Sequence, residues 1–213
     1  LPLGHRPGCL SASCVWGDFD DDGNVDLFIT NYAQLGPDDY PTCEHTVAGV
    51  TIPISCHPGN LEPIHDQLYR NTGSGEFEDI SEKAGITVGE ARTGLGVVAT
   101  DLDSDGDTDI YVANDTTPNH LWENQGDGRF IDRADAAGTA RNRFGATEAG
   151  MGLLVGDFAG HGRMDLFVTN YYGESNTLYR NDGNLLFTDI TDEMGLGAPS
   201  RARLGFGTSF ADF

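Results

Sequence analysis

The run Asp101-Leu102-Asp103-Ser104-Asp105-Gly106-Asp107-Thr108-Asp109, followed at once by Ile110-Tyr111-Val112-Ala113-Asn114, restricts this chain more than any other stretch. Carboxylates alternate along it, a glycine stands where a tight loop must reverse, and a β-branched and aromatic run follows. A hard cation such as calcium takes about six to eight oxygen ligands, and an Asp at every second position of a curled loop delivers them inward. The same order recurs as Asp18-Phe19-Asp20-Asp21-Asp22-Gly23-Asn24-Val25-Asp26 before Leu27-Phe28-Ile29-Thr30-Asn31. Two copies in one register define a repeat and predict two calcium sites.

The loops begin like an EF-hand but do not continue as one. An EF-hand closes with a bidentate Glu at its twelfth position and enters a helix. Here that position holds Ile29 or Val112, inside a strand-like run. The expected ligands are therefore the side chains of Asp18, Asp20 and Asp22, with a backbone carbonyl at Asn24 and closure by Asp26. In the second copy they are Asp101, Asp103 and Asp105, with Asp107 at the backbone position and Asp109 closing.

The formal net charge is −22 over 213 residues, which disfavours nucleic acid and anionic membrane as partners because both need a basic surface. Much of that charge sits in the two loops, where bound cations would offset it. No apolar run approaches the length of a membrane span. Leu1-Pro2-Leu3-Gly4-His5 reads as loop rather than signal peptide, so the chain reads as a processed or truncated product.

Four cysteines, Cys9, Cys14, Cys43 and Cys56, lie in the irregular N-terminal third and none in a strand-like run. Their even number suggests an oxidising compartment, with Cys9–Cys14 and Cys43–Cys56 as the local pairings among three connectivities. Zinc competes at the second pair, since His45 and His57 flank it, but the spacing matches no common zinc module.

Taken in order, residues 1–12 read as loop, and Cys14 to Gly17 as a short strand into the first metal loop. An insertion over residues 33–66 delays the next strand, and a disulfide-stapled β-hairpin in its Val47–Ile54 portion is expected. Gln67-Leu68-Tyr69-Arg70-Asn71 and Phe77-Glu78-Asp79-Ile80 then flank a Gly-rich turn. The pattern repeats through Gly94 to Thr100, the second loop, Leu121 to Asn124 and Phe130 to Asp132. It repeats again through Gly150 to Gly156, Leu166 to Asn170, Leu178 to Asn181 and Phe187 to Ile190, with a turn at Asp182-Gly183. In this third unit the loop keeps Asp157 and Asp165 but has Ala159, His161 and Arg163 between them. It is expected to bind no calcium, with Arg163 as a tethered cation and His161 on the surface.

Units of about 50 residues with four short strands each are the mark of β-propeller blades. The fold class expected is all-β: blades of four antiparallel strands, with the chain forming one partial propeller. Blades are expected over residues 1–90, 91–146 and 147–200, and the first strand of a fourth over 201–213. Phe28, Tyr111 and Phe167 are expected to fill the space between blades, and the glycines before each loop to let the inner strands crowd the axis.

The Asp-x-Asp-x-Asp-Gly-x-x-Asp loops and the Gly-rich strands before them resemble the FG-GAP or VCBS repeats of integrin α-subunit propellers. The phrases Ala113-Asn114-Asp115-Thr116-Thr117-Pro118-Asn119, Leu178-Tyr179-Arg180-Asn181-Asp182-Gly183 and Met151-Gly152 are similar to the branch with cartilage acidic proteins and ASPIC/UnbV-type proteins. That resemblance implies a calcium-bearing propeller, usually of seven blades, in secreted or surface proteins. Three units and a strand do not close such a ring, so the remaining blades are expected in a longer chain or in another copy.

No Gly-x-Ser-x-Gly elbow or His-Glu-x-x-His helix is present. A carbohydrate-active hydrolase needs only two carboxylates, but the clustered Asp residues are already accounted for as metal ligands. The expectation is therefore a non-enzyme: an extracellular, or in a bacterium periplasmic, adhesion module. It would bind a protein or glycan through one propeller face or the insertion. The alternative is a structural block of a calcium-stabilised surface assembly, filament or matrix. Asn114-Asp115-Thr116 fits a glycosylation sequon, but Asn114 is read as structural.

Overall fold

The computed structural model describes residues 8–36 and 41–210. Alternating apolar residues between Gly- and Asp-rich turns fold into three four-stranded antiparallel sheets. The first holds β1 (Cys9–Gly17), β2 (Asp26–Gln34), β5 (Gln67–Asn71) and β6 (Phe77–Asp79). The second holds β7 (Gly94–Thr100), β8 (Asp109–Asn114), β9 (His120–Asn124) and β10 (Phe130–Asp132). The third holds β11 (Gly150–Gly156), β12 (Asp165–Asn170), β13 (Thr177–Gly183) and β14 (Leu186–Asp189). Within each sheet neighbours in sequence pair in order, so every sheet is one propeller blade and the chain is a partial propeller.

The period of two along each second strand splits its side chains between two blade interfaces. On β8, Ile110 and Val112 join Phe19, Phe28, Leu68, Trp122 and Phe130 in the core between the first and second blades. Tyr111 and Ala113 point the other way and join Leu102, Leu121, Leu166, Val168 and Tyr179 in the core between the second and third. Phe28 and Tyr111 are thus fully buried fillers, whereas Phe167 on β12 is only half-buried. Each large side chain so buried stabilises the fold by about 1.5–3 kcal/mol. Glycine is required where the inner strands meet. A Cβ at Gly96 would lie 2.6 Å from the Met151 carbonyl oxygen, and one at Gly152 would lie 2.5 Å from that of Phe206.

The insertion forms a hairpin of β3 (Cys43–Val47) and β4 (Val50–Ile54) around Ala48-Gly49, both with positive φ as a two-residue turn demands. Cys43 and Cys56 are bonded across its base, which removes the zinc alternative. Cys9 and Cys14 are both free. They lie in β1, which starts at Cys9 rather than Cys14 because Cys9 and Leu10 pair with Gln34 and Ala33 past two irregularities. At about 3.3 Å per residue, five steps along one strand hold their Cα atoms far beyond the roughly 7 Å a disulfide can span. The third hairpin also turns later than expected, at Asn184 and Leu185, both at φ 54°, with Gly183 absorbed as an irregularity in β13.

Residues 204–210 run beside β11 without strand pairing, and Phe210 meets Phe158 edge-on at 5.0 Å. The rest of the expected fourth-blade strand, 211–213, lies outside the described residues, as do 1–7, where the signal-peptide question falls. No helix among the described residues is long and apolar enough to cross a membrane.

Candidate functional site

Each Asp-rich loop joins the first two strands of its blade, and all three are closed by the same backbone bonds. The first Asp of the loop accepts from the amide of the sixth-position glycine: Gly23 to Asp18 at 2.9 Å, Gly106 to Asp101 at 3.1 Å and Gly162 to Asp157 at 2.8 Å. The ninth-position Asp is buried and takes two amides, one per oxygen. Asp109 accepts from Leu102 and Asn124, both at 2.9 Å, and Asp26 accepts from Phe19 and Asn71 at 3.1 and 2.8 Å. Asp165 does the same with Phe158 and Asn181 at 3.0 and 2.8 Å. The fourth position is left-handed in every copy, at Asp21, Ser104 and Gly160.

Carboxylates gather at one point in the first two loops. One oxygen each from Asp18, Asp20 and Asp22 lie within 4.8 Å of one another, and so do those of Asp101, Asp103 and Asp109. Asp26 is not in the first group, and Asp105 and Asp107 are not in the second. Asp105 instead accepts from the Asp107 amide at 2.8 Å, and Asn24 donates its side-chain amide to Asp22 at 2.9 Å. The donor set fits a hard cation: Oδ1 of Asp18 and Oδ1 of Asp20 are buried with no hydrogen-bond partner, which a charged oxygen tolerates only beside a positive charge. In the second loop burial and the neighbouring carboxylates push Asp109 up to about 7, and the same causes raise Asp103. The amides on Asp109 do not preclude coordination, because each carboxylate oxygen has a second lone pair.

In the third loop the expected arrangement is corrected. His161, not Arg163, stands between the two surviving carboxylates: its Nε2 is 3.1 Å from Asp165 and its Nδ1 3.5 Å from Asp157. It is mostly buried rather than a surface residue. Arg163 turns out of the loop and donates Nε–H to the Asn181 carbonyl at 2.8 Å. The Arg163 amide donates to His161 Nδ1 at 3.2 Å, which fixes the ring between the two carboxylates.

At the opposite end of the same strands the base of the stapled hairpin roofs a cavity of about 770 Å³. Tyr32, Asp115, Tyr171 and Phe206 line it from the blades, and Glu44 and His57 from the insertion. Tyr32 donates its hydroxyl to Asp115 at 2.6 Å, tying the first blade to the second. Asp115 also bridges to Ala149 of the third.

The sequence pattern of FG-GAP-like repeats matches residues 58–112 and 101–168, two overlapping units that carry the second loop between them. The chain belongs to the FG-GAP-like repeat family. Cartilage acidic protein 1 of Mus musculus is 27% identical over 204 residues, covering 94% of this chain and 27% of its own length. The Homo sapiens protein is 27% identical over 84% of this chain and 24% of its own, and the Xenopus tropicalis protein 28% over 93% and 27%. The chain thus spans about a quarter of the length of these relatives. Among solved structures, an Agrocybe aegerita lectin described as recognising non-reducing terminal N-acetylglucosamine aligns at TM-score 0.35 and 16% identity, over 85% of this chain and 51% of its own.

Within the FG-GAP-like repeat, sequence reasoning missed the asparagine at or near the end of each blade's third strand. Asn124 Nδ2 donates to the Phe19 carbonyl at 3.0 Å and Asn181 Nδ2 to that of Leu102 at 2.7 Å, so each reaches the Asp-rich loop of the preceding blade. The signal was present as Tyr-Arg-Asn, Trp-Glu-Asn and Tyr-Arg-Asn at one register position. Asn114, the sequon residue, is fully buried and donates to the Pro118 carbonyl, so no glycan can be attached to it in the folded chain.

Proposed function

We propose that this chain is a calcium-stabilised, non-enzymatic binding module of an extracellular or cell-surface protein, and that it recognises a protein or glycan through the face capped by the stapled hairpin. The observation that carries this reading is the cavity under the hairpin, at the far end of the strands from the acidic loops. Stabilisation and recognition are thereby separated, and a loop-bearing face on a rigid scaffold is where recognition is expected. The Cys43–Cys56 bond supports an oxidising compartment. The similarity to proteins named for cartilage and acidity agrees with it.

Calcium bound by Asp18, Asp20 and Asp22, and by Asp101, Asp103 and Asp109, would supply positive charge that offsets their mutual repulsion. Two tests separate the two halves of the proposal. Metal analysis of the purified protein is expected to return two calcium ions per stretch of this kind. Calcium at about 100-fold over its dissociation constant then stabilises each site's folded form by about 2.7 kcal/mol. At about 2–4 °C per kcal/mol for a domain of this size, emptying both sites with a chelator lowers the melting temperature by about 10–20 °C. Absence of calcium and of any shift overturns the metal reading. Replacement of residues 43–56 by a short Gly-Ser linker is expected to abolish binding on a glycan array or to immobilised matrix proteins while leaving the calcium-dependent melting temperature unchanged. Retained binding overturns the assignment of the face.

A further inference from the structure

The hairpin of the insertion is a sheet of its own: among the described residues no strand besides β3 and β4 joins it. Its two-residue turn at Ala48-Gly49 sets the pairing, so Val47–Val50, His45–Ile52 and Cys43–Ile54 exchange backbone bonds across the ribbon. The pairs between them, Thr46–Thr51 and Glu44–Pro53, turn their backbone N–H and C=O groups outward to the ribbon's two edges. Thr46 and Thr51 meet through their hydroxyls at 3.0 Å, the close approach expected of such a pair.

The two edges differ. On β4 an outward donor is missing, because that position is Pro53, a residue that blunts an edge against further strands. On β3 both outward positions, Glu44 and Thr46, keep donor and acceptor, and the strand is exposed from Glu44 to Val47. Val47, Val50, Ile52 and Ile54 share one face of the ribbon and are exposed at 54, 62, 44 and 47%. A two-stranded ribbon with an unpacked apolar face is marginal in water, and three or more strands make such a sheet stable. The hairpin therefore lacks a strand on its β3 side.

Charge and edge together name that strand. Of a net charge of −22, residues 43–54 hold one formal charge, Glu44. A second copy can approach this ribbon while the acidic loops, at the far end of the blades, stay apart. One open edge beside one blunted edge is also the arrangement that closes on a second copy and goes no further. We propose that this chain forms a twofold dimer by antiparallel pairing of β3 with the same strand of a second copy, in the order β4-β3-β3-β4. Outward groups must face outward groups, and Glu44 opposite the partner subunit's Thr46 is the register that pairs both positions and keeps the two glutamates apart. Pro53 then ends the four-stranded sheet on each side. The pairing does not depend on what the hairpin-capped face recognises.

The test is sedimentation velocity of the full natural chain with calcium, over a range of concentrations at about physiological ionic strength, where the Debye length is about 8 Å. A mass that rises with concentration toward twice that of the chain is expected. Thr46→Pro removes an outward amide of β3 and should weaken the dimer about tenfold or more, whereas Thr51→Pro removes the matching amide of β4 and should leave it unchanged. Both variants lose the same Thr46–Thr51 hydroxyl contact, so a loss confined to Thr46→Pro is not damage to the hairpin. Amide exchange of the unsubstituted chain is a second readout: protection at Glu44 and Thr46 should grow with concentration while Thr51 stays unprotected. A monomer mass at every concentration overturns the proposal, as does an equal effect of the two prolines or concentration-independent exchange at Glu44 and Thr46. Cys14 is an exposed free thiol, so a dimer that is lost in Cys14→Ser is a cross-link and overturns it as well.

Discussion

In the second and third blades the amide of Asn114 or Asn170 is received by an asparagine side chain, Asn119 or Asn176, but in the first blade Asn31 is received by Asp66. Asp66 is 5% exposed, its Oδ2 has no hydrogen-bond partner, and His120 Nδ1 stands 4.0 Å away. Burial pushes its carboxyl up to about 7, against a bond from Asn31 and the pull of Arg92. The folded chain therefore holds this proton more tightly than the unfolded chain. The corresponding stability is present at low pH and lost as pH rises from about 4 to about 7. Asp66→Asn keeps the acceptor the other blades use and removes the ionisation. It should leave stability at pH 4 nearly unchanged and raise it at pH 8, by at most about 4 kcal/mol at roughly 1.4 kcal/mol per pK unit. Urea unfolding at both pH values checks this, and equal stability of the two proteins at pH 8 refutes it. A second residue-scale prediction concerns the interblade asparagines. Asn181→Ala leaves the Leu102 and Met164 carbonyls without their donor and should cost about 1–3 kcal/mol. Asn71→Ala, whose amide reaches only the Val25 carbonyl at an exposed site, should cost less. The urea midpoints of the two variants give the comparison.

At the scale of the element, the third loop keeps the backbone of the other two, with an imidazole in the gap between its carboxylates. Its backbone bonds match those of the other two, and Arg163 already points away. Ala159→Asp combined with His161→Asp should therefore raise the calcium content from two ions to three; an unchanged count would show that the loop's shape does not suffice. The hairpin makes the opposite case. Every residue of β4 is exposed, so the pairing of β3 with β4 and the disulfide hold it, not a core. Cys43→Ser with Cys56→Ser should speed amide exchange across residues 43–54 and leave β8 and β12 protected. A fall in global stability as large as the exchange effect would contradict this. Blades and Asp-rich loops were legible because periods of two and alternating carboxylates are local patterns. The start of β1 was not, since Cys9 and Leu10 are strand only by virtue of partners at Gln34 and Ala33. His161 was misplaced because its role depends on Arg163 turning toward Asn181, a contact between positions distant in sequence. The cavity was equally hidden, because its walls come from all three blades and the insertion.

At the scale of the whole molecule, charge is the dominant feature after the core. With a net charge of −22, much of it crowded into adjoining loops, the calcium-free form is opposed by repulsion that salt screens. Asp107 illustrates the crowding, being raised by burial, by its neighbour Asp105 and by Asp21 of the preceding blade. The melting temperature in chelator should therefore rise as potassium chloride goes from about 10 mM to about 1 M, where the Debye length falls from about 30 to about 3 Å. The gap between calcium and chelator should narrow in parallel, which scanning calorimetry at the two salt concentrations can show. An unchanged gap would mean that calcium acts through local geometry alone. Finally, the paired amides on each ninth-position carboxylate give this architecture room to evolve. Loop closure rests on backbone amides and the first and ninth carboxylates alone, so mutation can remove the groups at the third, fifth and seventh positions, as in the third loop, and leave the turn closed. A lineage of such blades can accumulate retired metal loops, and each becomes raw material for a different contact.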